Sequence, residues 1–119
     1  MAKTGPMEMD DSLRCAARYH SQYLVEKERE GQLPRDEHKS PGGALGETYG
    51  ARAKNAGYER QTAGENITNA SVDPKGAVQA WLRSTDGHCE ALFQPHAKFV
   101  GIGQDVVGYN RRTTAVFGQ

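Results

Sequence analysis

Apolar positions recur with helical spacing in the first third of the chain. Leu13, Ala16, Ala17, His20, Tyr23 and Leu24 share one i, i+3, i+4, i+7 stripe, which predicts an amphipathic helix from about Asp11 to Arg29. Asp10 and Asp11 stand where an N-cap belongs, and Gly31 follows the charged run Glu26 to Glu30 as an αL stop. Residues 31–43 contain two prolines and three glycines and read as an irregular loop that carries His38. A second helix is expected from about Ala44 to Ala56, with Leu45, Tyr49, Ala53 and Ala56 on one face and Gly57 as its stop.

The pattern changes in the second half. Asp73-Pro74 is the clearest helix start in the chain, an acidic N-cap before a proline at the first helical position, and Ala77, Val78, Trp81 and Leu82 then share a face that ends near Ser84. A strand is expected over Ala63 to Thr68. Lys98 to Val106 and Arg111 to Phe117 alternate around Gly108-Tyr109-Asn110 and predict an antiparallel hairpin. Val78, Trp81, Leu82, Phe99, Ile102, Val116 and Phe117 form the densest apolar set and are the expected core. Helices early and strands late, without βαβ alternation, predict an α+β layered domain.

A chain of 119 residues has room for one such core. Hydrophobic residues make up 36% and the mean hydropathy is −0.77, so no window reaches the roughly 18 apolar residues of a membrane span. Fifteen basic residues balance fifteen acidic ones, which removes any global footprint for nucleic acid. Cys15 and Cys89 are too few for a disulfide scaffold and too far apart for a local zinc knuckle. Residues 1–9 lack the apolar run of a secretory signal.

Four histidines are the first candidates for chemistry, because imidazole titrates near neutrality and ligates divalent transition metals. His20 lies on the apolar stripe and reads as a core residue. His96 follows a proline in a connection and carries no assignment. His38 in the irregular loop and His88 after Gly87 both occupy positions that can face a cleft. Ser84 and His88 are four residues apart, yet no G-x-S-x-G elbow surrounds the serine and no third partner is evident. Gly101-Ile102-Gly103 lacks the third glycine and the helix of a dinucleotide loop and reads as small residues within a strand.

Several segments, in order, resemble the CAP superfamily of cysteine-rich secretory, antigen-five and pathogenesis-related proteins, and specifically its short bacterial branch. The early helix is Leu13-Arg14-Cys15-Ala16-Ala17-Arg18-Tyr19-His20-Ser21, and His38-Lys39-Ser40 looks like the family's loop histidine with its serine. Ala56-Gly57-Tyr58 precedes Gly64-Glu65-Asn66-Ile67, which resembles the GEN strand. Ala77-Val78-Gln79-Ala80-Trp81-Leu82 and Asp86-Gly87-His88-Cys89 follow as the tryptophan helix and second histidine motif. Phe99-Val100-Gly101-Ile102-Gly103 and Val116-Phe117-Gly118 are similar to the closing strands.

The resemblance implies an α-β-α sandwich with a central antiparallel sheet between helical layers, spanning residues 11–118 after an N-terminal extension of residues 1–10 and lacking the family's opening helix. It also implies a cleft where His38, Glu65 and His88 converge, with Asn66 and Ser84 as accessory positions. Two imidazoles and a carboxylate suit a divalent metal, zinc first. Binding should be weak, because the family's further glutamate is replaced by Ser84. A Cys15–Cys89 disulfide is implied by the cysteine positions of similar bacterial members. The functional expectation is an exported, non-catalytic module, secreted or in the cell envelope, that takes a small ligand, lipid or peptide in its cleft. The alternative is a metal-assisted or histidine-based hydrolase acting on peptide or envelope material.

Overall fold

The computed structural model describes residues 7–69, 76 and 96–119. These comprise β1 (Glu8–Met9), α1 (Asp11–Arg29), α2 (Tyr49–Asn55), β2 (Thr62–Thr68), β3 (Phe99–Val107) and β4 (Asn110–Gly118). The expected helix after Asp73-Pro74, with Val78, Trp81, Leu82 and Ser84, lies outside the described residues, as do His88 and Cys89. Gly76, the one described residue of that stretch, is helical.

Helix α1 starts and stops where its sequence specifies. Asp10 has extended backbone and its carboxylate accepts from the Leu13 N–H at 2.9 Å. At the far end Gly31 takes φ +71, and its N–H reaches the Glu28 carbonyl while Gln32 reaches Lys27. That pair of bonds is a Schellman closure, which satisfies carbonyls the helix would otherwise leave open. Leu13, Ala16, Ala17, His20, Ser21, Leu24 and Val25 are buried along one stripe.

Helix α2 is shorter than the apolar spacing implies, beginning at Tyr49 rather than near Ala44. Gly46 adopts φ +120, which an L-residue helix does not contain, and Thr48 caps the helix by accepting from the Ala51 N–H at 3.1 Å. Residues 40–46 instead form successive turns, and Gly57 at φ +105 ends the helix.

The sheet order is β1-β3-β4-β2. β2, β4 and β3 pair antiparallel as expected, whereas the two-residue β1 adds a parallel edge opposite Phe99 and Val100, so the sheet is mixed. The hairpin is tighter than expected because Asn110 pairs with Val107, leaving the loop to Gly108 and Tyr109. Gly108 takes φ +63 and Tyr109 does not, the glycine-first pattern of a II′ turn.

Both sheet faces are buried. Val116 meets Leu13, Ala17, Ala53 and Tyr58 on the α1 side, with Phe99 packed alongside. Ala97, Val100, Ala115 and Phe117 form a second cluster, joined by Met7, Ala63 and Ile102. Val116 and Phe117 therefore belong to the core as expected, while Phe99 and Ile102 are only half-buried. Leu13, Leu24, Ala53 and Tyr58, absent from the expected set, are buried instead.

Gly101 and Gly103 explain how closely α1 approaches. A Cβ at either position would collide with the helix backbone at Leu13 and Arg14 or at Ala17 and Arg18. The two glycines lower α1 directly onto β3. The Ser21 hydroxyl then reaches the Gly103 carbonyl at 3.0 Å and Thr114 Oγ1 at 2.8 Å, so the contact is hydrogen-bonded as well as apolar.

The expected Cys15–Cys89 disulfide involves Cys89, which lies outside the described residues. Cys15 is a free thiol exposed on the outer side of α1, away from the buried stripe.

Candidate functional site

Glu65 occupies the middle of β2, paired with Val116, so strand alternation turns its side chain to the sheet face that packs under the helices. Its carboxylate is fully buried. A buried carboxylate needs partners for both oxygens, and it has them. His38 Nδ1 lies 2.9 Å from Oε1, and Arg52 Nη2 lies 2.9 Å from Oε2. Because an ionised carboxylate only accepts, Nδ1 is the protonated nitrogen of His38 and Nε2 carries the lone pair. Among the described residues no hydrogen-bond partner engages Nε2. The ring is 43% exposed, so one edge is anchored and the other faces solvent.

Arg52 organises the cluster. It projects from α2 with a side chain that is 0% exposed. Nη2 donates to the His38 carbonyl at 3.0 Å as well as to Glu65, while Nη1 donates to Ser40 Oγ at 2.6 Å and to the Glu47 carbonyl at 3.0 Å. One guanidinium thereby joins the irregular loop, the turn before α2 and β2. Arg52 Nε is buried and has no partner among the described residues. The sequence signal for this role was present, since Arg52 shares the Tyr49 and Ala56 face of α2, where a cation must find a buried anion.

The loop bearing His38 is fixed from several sides. His20 Nε2 donates to the Glu37 carbonyl, Tyr23 donates to the Pro41 carbonyl at 2.8 Å, and the His38 N–H donates to Asp36 Oδ1 at 2.9 Å. Arg112 grips the Glu37 carboxylate at 2.8 Å and Glu28 at 3.2 Å. Composition alone marks residues 31–43 as irregular. Tertiary hydrogen bonds give them one conformation.

The two described histidines of this region are electrostatically opposite. The hydrogen bond that His38 donates to Glu65 raises the His38 pKa above the ordinary histidine value, with burial opposing it. Burial lowers the His20 pKa, because a cation there would be desolvated and would face Arg52. His20 is accordingly a structural histidine, fully buried with Nδ1 unpartnered among the described residues.

The structure thus brings together His38 and Glu65, candidates named from sequence, and adds Arg52 and Ser40. Asn66 is buried and, one residue after Glu65, points to the opposite sheet face. His88 and Ser84 lie outside the described residues. As a metal ligand set the described residues offer one ready donor, His38 Nε2, because both Glu65 oxygens are engaged. No group of three His, Cys, Asp or Glu suited to an ion occurs among them. Glu65 fits the role of a carboxylate that orients a ligating histidine from behind.

Known proteins share this architecture. The chain superposes over 97% of its length on an extracellular protein containing a SCP domain from Bacillus anthracis str. Ames, with TM-score 0.74 and 28% sequence identity. It spans about a third of that protein, 34% of its chain. An outer surface protein from Borrelia burgdorferi is similar over 97% of this chain and 78% of its own, with TM-score 0.69, and at 21% identity the likeness concerns fold alone. Curated proteins gave no match. The sequence matches the family model of the Cysteine-rich secretory protein family over residues 1–117, nearly end to end, and with the order of helices and strands agreeing as well, the chain belongs to the CAP family.

Proposed function

We propose that this chain is an exported, non-catalytic binding module whose cleft presents His38 as an oriented Lewis base to a small ligand, lipid or peptide, or to a divalent metal. The observation that carries the reading is the Arg52–Glu65–His38 relay, which fixes Nδ1 inward and leaves Nε2 without a partner among the described residues. His38 would hold a zinc ion through Nε2, Glu65 would orient the ring, and His88 is the second imidazole the reading calls for. A bound metal would supply a positive charge that recruits an anionic or carbonyl oxygen of the ligand. Export is supported by the extracellular and outer-surface character of the similar solved proteins. No helix among the described residues is long and apolar enough to cross a membrane.

The lack of a nucleophile among the described residues favours binding over hydrolysis. No hydroxyl or thiol among them is hydrogen-bonded to His38. The nearby Ser40 hydroxyl donates to the Gly46 carbonyl at 2.7 Å and accepts from Arg52. A serine so engaged is not available as an attacking group.

The test is calorimetric titration of zinc chloride into wild type, His38→Ala and Glu65→Gln. Wild type should bind weakly, more tightly at higher pH because protons compete for Nε2, and His38→Ala should not bind. Glu65→Gln should lose about 10- to 100-fold in affinity, as expected for an orienting carboxylate. Equal binding by wild type and His38→Ala would remove the metal reading. Peptidase or esterase turnover abolished in His38→Ala would replace the binding module with the hydrolase.

A further inference from the structure

β2 forms the border of the sheet opposite β1, with β4 as its neighbour. The hairpin closes on a Val107–Asn110 pair, so Arg112, Thr114 and Val116 direct their backbone groups at β3, while Thr113 and Ala115 direct theirs at β2. Thr68 and Asn66 are paired with Thr113 and Ala115, which leaves the N–H and C=O groups of Glu65 and Ile67 pointing away from the sheet. No hydrogen bond among the described residues satisfies these outward groups. Water reaches them. The Glu65 side chain is 0% exposed while the residue as a whole is 8% exposed, so what Glu65 shows to solvent is its backbone. An edge of this kind is a template for strand addition.

The same two residues face the candidate site. Glu65 and Ile67 pair with Val116 and Thr114 and carry their side chains on the α1 side of the sheet, where His38 sits on the Glu65 carboxylate. A cavity of about 370 Å³ opens there, and its lining includes Arg35, Asp36, His38, Ile67 and Thr68. A chain laid antiparallel along this edge would bond Glu65 and Ile67 through alternate residues, and those residues would carry their side chains on the His38 face. Another main chain is the complement of such a row, whereas an acyl chain would leave its N–H and C=O groups without partners. A second folded copy needs about 1,000 Å² of contact, which an edge of two outward residues does not supply.

Resting on the binding role given to His38 above, we propose that the ligand of this cleft is an extended peptide, which adds antiparallel to β2 at Glu65 and Ile67 and sets a hydroxyl-bearing residue against His38 Nε2. A hydroxyl suits that position because Nε2 carries a lone pair while Nδ1 is engaged by Glu65. Backbone bonds hold the peptide. The hydroxyl sets its register, since a slip by one residue would turn it to the other face of the sheet.

The experiment titrates the whole ¹⁵N-labelled chain, without zinc, with the capped peptide Thr-Val-Thr-Val-Thr and with two N-methylated forms of it. The parent peptide should shift the Glu65 and Ile67 amides. In the bound strand the threonine amides point at β2 and the valine amides at solvent, so N-methylation of the central threonine should weaken binding at least about tenfold and N-methylation of the first valine should leave it unchanged. The counterpart Ala-Val-Ala-Val-Ala, which lacks the hydroxyls, should bind at least about threefold more weakly than the parent. Equal affinity of the two methylated peptides, equal affinity of the threonine and alanine peptides, or shifts confined to other residues would overturn the proposal. So would sodium decanoate moving the same two amides, or concentration-dependent dimerisation moving them without peptide. Zinc binding reads His38 with no peptide present, so a failed zinc titration with the methylation pattern intact would strike the metal reading and uphold the added strand.

Discussion

Arg52 and Arg112 hold the same loop from two sides in different surroundings. Arg52 and its anion Glu65 are both 0% exposed, and the guanidinium also satisfies the His38 carbonyl and the Ser40 hydroxyl. Arg112 is itself buried, but Glu28 and Glu37 keep side chains 28% and 38% exposed. Water can replace the partners of Arg112 and does not reach the Glu65 carboxylate. The inner arginine therefore dictates one geometry for the histidine, whereas the outer arginine fastens a loop that is already positioned.

Removing Arg52 should cause the largest loss. Arg52→Ala strands a buried carboxylate and two carbonyls, and urea unfolding should show a destabilisation of about 3–5 kcal/mol. A loss below about 1 kcal/mol would mean that Glu65 finds other partners or protonates without cost. Next comes Phe117→Ala, in the second apolar cluster, at about 3–4 kcal/mol; because Phe117 touches no part of the relay, zinc affinity of the folded variant should be unchanged. Arg112→Ala should cost only about 1–2 kcal/mol, since its acids remain solvated. If the two arginine variants lose equal stability, the distinction between inner and outer clamp is wrong.

The smallest expected effect is in pH dependence. His38 has a raised folded pKa, so its contribution to stability is complete below the unfolded pKa and is lost as pH rises through the folded value. Wild type and His38→Gln should therefore differ most in urea midpoint under mildly acidic conditions and converge above neutrality. The difference should be small because the ring is 43% exposed and screened. His20 acts with the opposite sign. Burial lowers its folded pKa, so the stability held above the unfolded pKa is lost as pH falls through the lowered folded value. A midpoint difference that grew with pH would assign the wrong histidine to the relay.

Local rules made α1 legible at both ends, because Asp10 and Gly31 each supply a terminal hydrogen-bonding solution within a few residues. The hairpin was readable for the same reason, apart from Asn110, whose pairing depends on how Gly108 closes the turn. The start of α2 was not, since apolar spacing from Leu45 continues past a glycine whose positive φ no periodicity reveals. His38 and Glu65 were recognisable as residue types within motifs. Arg52 was missed although it shares a face of α2 with Tyr49 and Ala56, because Ser40, Glu65 and His38 lie 12 to 14 residues away and only the folded chain brings them to it. Glu65 was expected as a ligand, yet whether a carboxylate oxygen is free depends on who else binds it. The glycines of β3 read correctly as strand residues, while their purpose required seeing the helix that rests on them.

The relay is tested most directly by ¹⁵N NMR of the His38 ring across pH in wild type and Glu65→Gln. The account predicts a neutral ring protonated on Nδ1 with Nε2 unprotonated, and a pKa above the ordinary histidine value that falls when Glu65 becomes Gln. A neutral ring protonated on Nε2, or a pKa indifferent to that substitution, would contradict it.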